Sequence, residues 1–429
     1  MVVRHEKVIC DAVNTDFGRR SAITTQASDI LPVIEACEYA KKHLNRWMSP
    51  QRRKSKFPLG LIGAKSKVEY LPLGVVGNIS AWNFPVQLSL APLADIFAAG
   101  NRAMLKPSEL SEHTSSLIAD IVSDSFDQDE LTVILGESDV AAQFSKLPFD
   151  HLLFTGSSSV GKLVAQAAAA NLVPVTLELG GKNPVIVATS ANIKLAAEKI
   201  IWGKVLNGGQ ICLSPDTVLL PQEKLSEFIE CCQQSMQKMF PDIASDVDFT
   251  HAISAQHAQR LQILVDEAEN AGAKVIRLGD QIGKCVPPSL VINPNLDCKI
   301  MTEEIFGGPL PIITYKDIQT SIDFINDRPK ALALYYFGQD PDEIDRITHQ
   351  TSSGGLVIND CFAHQMQEDL PFGGVGNSGM GAYHGFDGYK KFSHARAVFT
   401  QSKFDPLRLV RPPYGRAMRK YVAKQINRQ

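Results

Sequence analysis

Val173-Pro174-Val175-Thr176-Leu177-Glu178-Leu179-Gly180-Gly181-Lys182-Asn183-Pro184-Val185-Ile186-Val187 reads as two short apolar strands separated by a double glycine. The runs are too short for buried helices, and the glycines and proline between them break any helical continuation. Upstream, Gly74-Val75-Val76-Gly77-Asn78-Ile79-Ser80 is another buried strand, turning at Trp82-Asn83-Phe84-Pro85. A single helix is expected to follow over about residues 86–99, stopped by Gly100-Asn101. Ala103-Met104-Leu105-Lys106 is a strand broken by Pro107, and the next helix is expected to start near Ser111, which has N-cap character. His151-Leu152-Leu153-Phe154 is a strand, and Gly156-Ser157 opens a helix that runs through the alanines up to Ala170. Beyond the double glycine a helical stretch covers 191–205, and Leu356-Val357-Ile358-Asn359 still reads as a core strand. Short strands alternating with helices indicate an α/β chain with parallel sheets, divided into two units near Gly180-Gly181, the second reaching about 380. The segments 54–73 and 395–403 look extended and are expected to pair as a small sheet outside both units.

A chain of 429 residues is long enough for two or three domains sharing a large core. Its 44% hydrophobic and 21% charged content is ordinary for a globular protein. A net charge of -3 leaves no global positive field for nucleic acid or an anionic membrane. The local exception is Arg408, Arg411, Arg416, Arg419, Lys420, Lys424 and Arg428, opposed by Asp405 alone. That stretch reads as a solvated tail or surface helix, with phospholipid or partner contact as the alternative. No apolar run reaches the roughly 18–20 residues that span a bilayer, and the N-terminus lacks the apolar core of a signal peptide. Eight scattered cysteines without CxxC spacing are no disulfide framework, so a reducing cytoplasm is the expected compartment.

Several short motifs carry chemistry. In Gly156-Ser157-Ser158-Ser159-Val160-Gly161 a strand turns into a helix, with Gly156 and Gly161 where a backbone approaches a ligand closely and free N–H groups where a pyrophosphate can sit. An ordinary tight turn is the competing reading. Lys106-Pro107-Ser108-Glu109 lies at a strand's carboxyl end, where ligands bind in open parallel sheets. Lys106 and Glu109 suit ribose hydroxyls, and the carboxylate repels a 2′-phosphate, which favours NAD over NADP; a solvated loop is the bland alternative. In Asn207-Gly208-Gly209-Gln210-Ile211-Cys212, a glycine-rich turn exposes N–H groups beside the sulfur, an arrangement expected to favour the thiolate. Glu178 ends an apolar strand, where partial burial raises a carboxyl toward the range of a general base, unless Lys182 pairs with it. Asn83 offers a side-chain N–H to an oxyanion, although it also suits a simple turn. Nucleophile, base and oxyanion donor, each at an element end, outline a reaction site.

These motifs, in this order, resemble the aldehyde dehydrogenase superfamily across nearly the whole chain. Ala81-Trp82-Asn83-Phe84-Pro85, Lys106-Pro107-Ser108-Glu109, Phe154-Thr155-Gly156-Ser157, Leu177 to Lys182 and Asn207 to Cys212 are joined by two later segments. These are Glu303-Glu304-Ile305-Phe306-Gly307-Gly308-Pro309 and Pro371-Phe372-Gly373-Gly374-Val375-Gly376-Asn377-Ser378-Gly379. The separation of Glu178 and Cys212 agrees with the family's base-to-nucleophile spacing. Gly379-Met380-Gly381-Ala382-Tyr383-His384-Gly385, Phe392-Ser393-His394 and Arg411-Pro412-Pro413-Tyr414-Gly415 resemble the compact class-3-like branch, and within it bacterial coniferyl aldehyde dehydrogenases.

The resemblance implies two Rossmann-like α/β domains plus a small β oligomerisation element. Residues 1–53 and 74–180 would form the dinucleotide-binding domain and 181–380 the catalytic domain, with 54–73 and 381–429 bridging. It implies an NAD(P)-dependent enzyme oxidising an aromatic, coniferyl-type or long-chain aldehyde to the acid, without a metal. Cys212 would be the nucleophile, Glu178 the base for thioester hydrolysis and Asn83 the oxyanion donor. Trp82, Lys106, Glu109, Gly156, Ser157, Gly161, Leu179, Glu304 and Phe306 would hold the cofactor, Glu304 on the nicotinamide ribose and Phe306 near the ring. A homodimer through sheet extension is implied as well. The chain departs from the family in three places: it starts near the second helix of the fold, at about residues 6–14; Gly307-Gly308-Pro309 carries an extra glycine; and Ala81 replaces a commoner proline. A cofactor-independent thiol esterase and a non-catalytic relative are the competing readings.

Overall fold

The computed structural model describes residues 1–429 apart from 58, 406, 407, 409, 428 and 429, so Arg428 of the basic stretch lies outside the described residues. In chain order the strands are β1 (Gln51–Arg53), β2 (Lys65–Pro72), β3 (Val75–Ile79), β4 (Arg102–Lys106), β5 (Leu131–Val133), β6 (His151–Gly156), β7 (Val175–Leu179) and β8 (Pro184–Val187). They continue as β9 (Thr217–Pro221), β10 (Lys274–Arg277), β11 (Ser289–Ile292), β12 (Leu310–Tyr315), β13 (Ala333–Phe337), β14 (Gly355–Ile358), β15 (Gly379–Met380) and β16 (Ser393–Thr400).

Three sheets result. The first has the order β15-β7-β6-β3-β4-β5 and is parallel except for β15, which pairs antiparallel with β7. Its chain starts in the middle at β3, builds β4 and β5 on one side, then crosses to β6 and β7. The order therefore reverses between β3 and β6, and a crevice opens at their carboxyl ends, the usual ligand position in such sheets. The second sheet, β10-β11-β12-β9-β8-β13-β14, is parallel except for β10. Only residues 180–183 separate β7 from β8, so the carboxyl edge of the first sheet faces the amino edge of the second. One apolar cluster runs from Val76 and Leu105 in the first sheet to Val185, Val218 and Leu310 in the second, making the two units share a core.

The third sheet joins β1, β2 and β16. The two segments expected to pair do so, antiparallel from Ser393 opposite Pro72 to Thr400 opposite Lys65, while residues around Leu59 to Gly63 form turns instead of strand. The basic C-terminal stretch becomes the helix Arg416–Ile426, with no buried residue. Among the described residues, no helix is long and apolar enough to cross a membrane.

Two local expectations are corrected. The helix expected over 86–99 is two helices, Pro85–Leu90 and Pro92–Ala98. Pro92 has no N–H to give the preceding turn; the buried Asn78 of β3 instead donates to Leu88 O (3.1 Å) and Ser89 O (3.2 Å). Ser111 does not cap the helix Glu112–Ser123 with its side chain, since its hydroxyl turns back to Ser108 O. The cap comes from Asp16 of the first long helix, Glu6–Phe17, which accepts from His113 N and Thr114 N, each at 3.0 Å.

Candidate active site

The helix Ile193–Val205 is followed by a turn no ordinary run of residues makes. Asn207, Gly208 and Gly209 have φ of 50°, 63° and 75°, three consecutive left-handed residues. Glycine takes this conformation without steric cost, and asparagine tolerates it better than most. Gly209 is fixed for a second reason: a Cβ there would lie 2.5 Å from Gly307 O. Side chains lock the turn. Asn207 Nδ2 donates to Gln210 O (3.2 Å) and to Asn83 O (3.0 Å), and Gln210 Nε2 donates to Asn207 O (2.9 Å) and His251 O (3.0 Å). Two residues later, Cys212 O accepts from Asn183 Nδ2 at 2.6 Å, while Asn183 Oδ1 accepts from Ala333 N of β13. The extra glycine of the 303–309 segment is tightly seated, since a Cβ on Gly307 would lie 2.4 Å from Leu261 Cδ1.

Where the two sheets face each other lies a cavity of about 490 Å³. Its walls bring together Cys212, Glu178 and Asn83 with Trp82, Gly156, Ser157, Leu179, Glu304 and Phe306. A neighbouring cavity of about 530 Å³ shares Ser158, Gly180 and Glu304 with it, extending the cleft toward Thr302, Lys330 and Asn377. Three expected cofactor residues sit elsewhere. Lys106 is buried at the end of β4, donating to Pro107 O (2.7 Å) with Glu109 Oε2 at 3.7 Å. Gly161 lies beneath β7, where a Cβ would meet Leu179 Cδ2 at 2.6 Å. Its smallness serves helix-on-strand packing, not the close ligand approach expected of it.

The walls suit a dinucleotide. The helix Ser158–Ala169 opens on the cavity with Ser157 as its N-cap, so its unpaired N–H groups and positive end are available to a pyrophosphate. Glu304 presses on Gly180, where a Cβ would lie 2.1 Å from its carboxylate oxygens, and it accepts a hydrogen bond from the Gly181 N–H. Trp82 and Phe306 meet edge-on at 5.4 Å between ring centres.

Burial governs the charges. Neither oxygen of Glu178 has a hydrogen-bond partner, and desolvation holds its carboxyl well above the usual range. Lys182 is not its partner; it pairs with Asp216 and donates to Ile300 O (2.7 Å) and Glu303 O (3.1 Å). Burial likewise pushes Glu304 up to about 7 against the opposing Gly181 N–H. For Cys212 the expectation of a favoured thiolate is corrected. The N–H groups of Cys212 and Leu213 do stabilise negative charge on the sulfur. Burial outweighs them, and with added repulsion from Glu304 and Glu178 it pushes the thiol up to about 12. The residue keeps an accessible face on the cavity, but its resting form is the thiol.

Sequence reading missed Asn183, Gln210, Arg20 and Asp29, which hold the cysteine turn and the Trp82–Asn83 turn in place. Gln210 and Asn183 stand within or beside recognised motifs without their roles being read, and Arg20 and Asp29 stand in no motif and meet partners about sixty residues away at the Asn83 turn.

Known proteins agree with this architecture. The aldehyde dehydrogenase family model matches residues 2–398. A probable coniferyl aldehyde dehydrogenase of Caulobacter vibrioides is 47% identical over 100% of this chain and 90% of its own length. A coniferyl aldehyde dehydrogenase of a Pseudomonas species is 46% identical over 97% of this chain and 88% of its own. The substrate-bound structure of Staphylococcus aureus AldH superposes with a TM-score of 0.93 at 36% identity, covering 99% of this chain and 92% of that one. Because the agreement runs through both sheets and the cleft between them, and not through one motif, this chain belongs to the aldehyde dehydrogenase family.

Proposed function

We propose that this chain oxidises an aromatic, coniferyl-type aldehyde to its acid with NAD(P)+, and that Cys212, Glu178 and Asn83 are its reacting residues. The observation that carries the reading is their convergence on one cavity beside a helix N-terminus and Glu304. Cys212 gives its proton up to water in the cleft, and Glu178, with two unpartnered oxygens and a raised affinity for protons, is suited to be the base of the later, hydrolytic step. The sulfur bonds to the aldehyde carbon, and the oxyanion of the resulting thiohemiacetal is held by the Asn83 amide and the Cys212 N–H. Bound dinucleotide supplies the acceptor for the hydride that leaves this carbon. Trp82, Leu179 and Phe306 wall the cavity, and Glu304 would hold a ribose of the bound dinucleotide and so orient it. Loss of the hydride leaves a thioester; Glu178 removes a proton from water as it adds to that carbon, the C–S bond breaks with this proton passing from Glu178 to the sulfur, and the acid leaves with the thiol restored.

The aromatic substrate class rests on the names of the two bacterial relatives. A homodimer joined through the three-stranded sheet fits the exposed residues of β16, and a reducing cytoplasm fits eight unpaired cysteines. Following reduced nicotinamide with cinnamyl-type, benzaldehyde and medium-chain aldehydes tests the substrate class. Ester hydrolysis without any dinucleotide-dependent oxidation would overturn the reading, and sedimentation gives the oligomeric state.

A further inference from the structure

We propose that the buried pair Arg20–Asp29 is a positioning device for the Asn83 amide, an inference that rests on Asn83 being the oxyanion donor. Both side chains are wholly excluded from solvent. Arg20 Nη1 donates to the Asn83 carbonyl at 2.9 Å, and Nη2 donates to Ser28 Oγ at 3.0 Å and to Asp29. The other Asp29 oxygen accepts from Val86 N (2.9 Å) and Gln87 N (3.1 Å). The guanidinium lies over the rings of Phe17 and Phe84, at 5.0 Å and 5.1 Å.

The pair thus grips the Asn83 turn on both sides, by its carbonyl at one end and by two N–H groups at the other. From the opposite direction, Asn207 of the cysteine turn donates to the same Asn83 carbonyl (3.0 Å). Asn83 Nδ2 spends one N–H on Gln210 O (3.1 Å), so its second N–H can be aimed at an oxyanion. Asn83 is therefore clamped between the ion pair and the loop that carries the sulfur. Packing alone does not call for this arrangement, because apolar residues of similar volume fill a buried site as well as an ion pair does. Here Arg20 Nε is even left without a partner. What the pair adds is direction, since an oxyanion donor is useful only when fixed before charge develops.

The test is a double-mutant cycle read by kcat, KM and thermal midpoint. Arg20→Lys keeps the charge but loses the fork that reaches Asn83, Ser28 and Asp29 together. It should lower kcat by about tenfold or more with little change in KM for the dinucleotide. Asn83→Ala should lower kcat by about a hundredfold or more. In the Asn83→Ala background, Arg20→Lys should cost no more than about a further twofold, because both changes remove one interaction. Ser28→Ala, which leaves the ion pair intact, serves if Arg20→Lys does not fold, and its smaller loss of kcat should likewise vanish in Asn83→Ala. Multiplying losses, or an unchanged kcat in folded Arg20→Lys or Ser28→Ala, overturns the positioning role alone. An unchanged kcat in Asn83→Ala overturns the oxyanion reading and this inference with it.

Discussion

Neither oxygen of Glu178 finds a partner, and its carboxyl holds its proton well above the usual range because burial penalises the charge. A group whose folded pKa is raised favours the fold fully below its unfolded value, and that contribution is lost as pH rises through the folded value. Glu178→Gln should therefore raise the thermal midpoint at alkaline pH, by the equivalent of about 1–3 kcal/mol, and leave it unchanged near pH 4. The same variant should keep a pre-steady-state burst of reduced dinucleotide while losing steady turnover; absence of the burst would move Glu178 to the first step. Since the resting thiol of Cys212 is also held protonated, kcat/KM of the native enzyme should climb with rising pH and show no plateau at or below about pH 9. Cys212→Ala should abolish aldehyde and ester turnover with the fold intact, and residual oxidation in it would refute the assignment. The three residues proposed to react were legible as candidates because each sits in a short contiguous motif, and the structure lines one cavity with them. The protonation state of the sulfur was not, because it depends on cavity walls drawn from Glu178 and Glu304, which no local pattern around Cys212 encodes.

Among elements, the turn Asn207–Gly209 and the helix Glu112–Ser123 show what local reading reaches. The glycines announced the turn, but not that Gly209 abuts the backbone of Gly307. Gly209→Ala meets both a left-handed φ and that carbonyl, so it should cost about 1–3 kcal/mol or more in denaturant unfolding and displace the cysteine. A variant with native stability and turnover would show that the turn tolerates a Cβ. The helix Glu112–Ser123 depends on a cap from another helix, so Asp16→Ala should destabilise the protein by about 1–2 kcal/mol with kcat unaltered. Strands were read well because apolar runs bounded by Gly and Pro are self-contained signals. The split at Pro92 was missed in favour of a single helix, and its repair by Asn78 comes from a neighbouring strand that no local pattern announces.

At the scale of the whole molecule, the cleft has one wall from each large sheet, with Glu178 and Gly156 on one side and Cys212 and Glu304 on the other. A dinucleotide bound there, as proposed, would tie the two units together. At about a hundredfold excess over its Kd it should stabilise the protein by about 2.7 kcal/mol, seen as a rise in thermal midpoint that Glu304→Gln weakens. Equal shifts in both proteins would remove Glu304 from the ribose. The alternation of elements made both sheets legible, but not the late return of the chain to the first one. Strand β7, which bears Glu178, is flanked by β6 on one side and by β15 on the other, with Gly379 opposite Glu178. On the ribosome, β7 emerges long before Gly379 does. A nascent chain halfway through synthesis therefore carries an open, apolar strand border, a place where chaperones dock and aggregates start. Only when the last stretch has cleared the exit tunnel is that border sealed, so the seat of Glu178 is among the final parts of the protein to be finished.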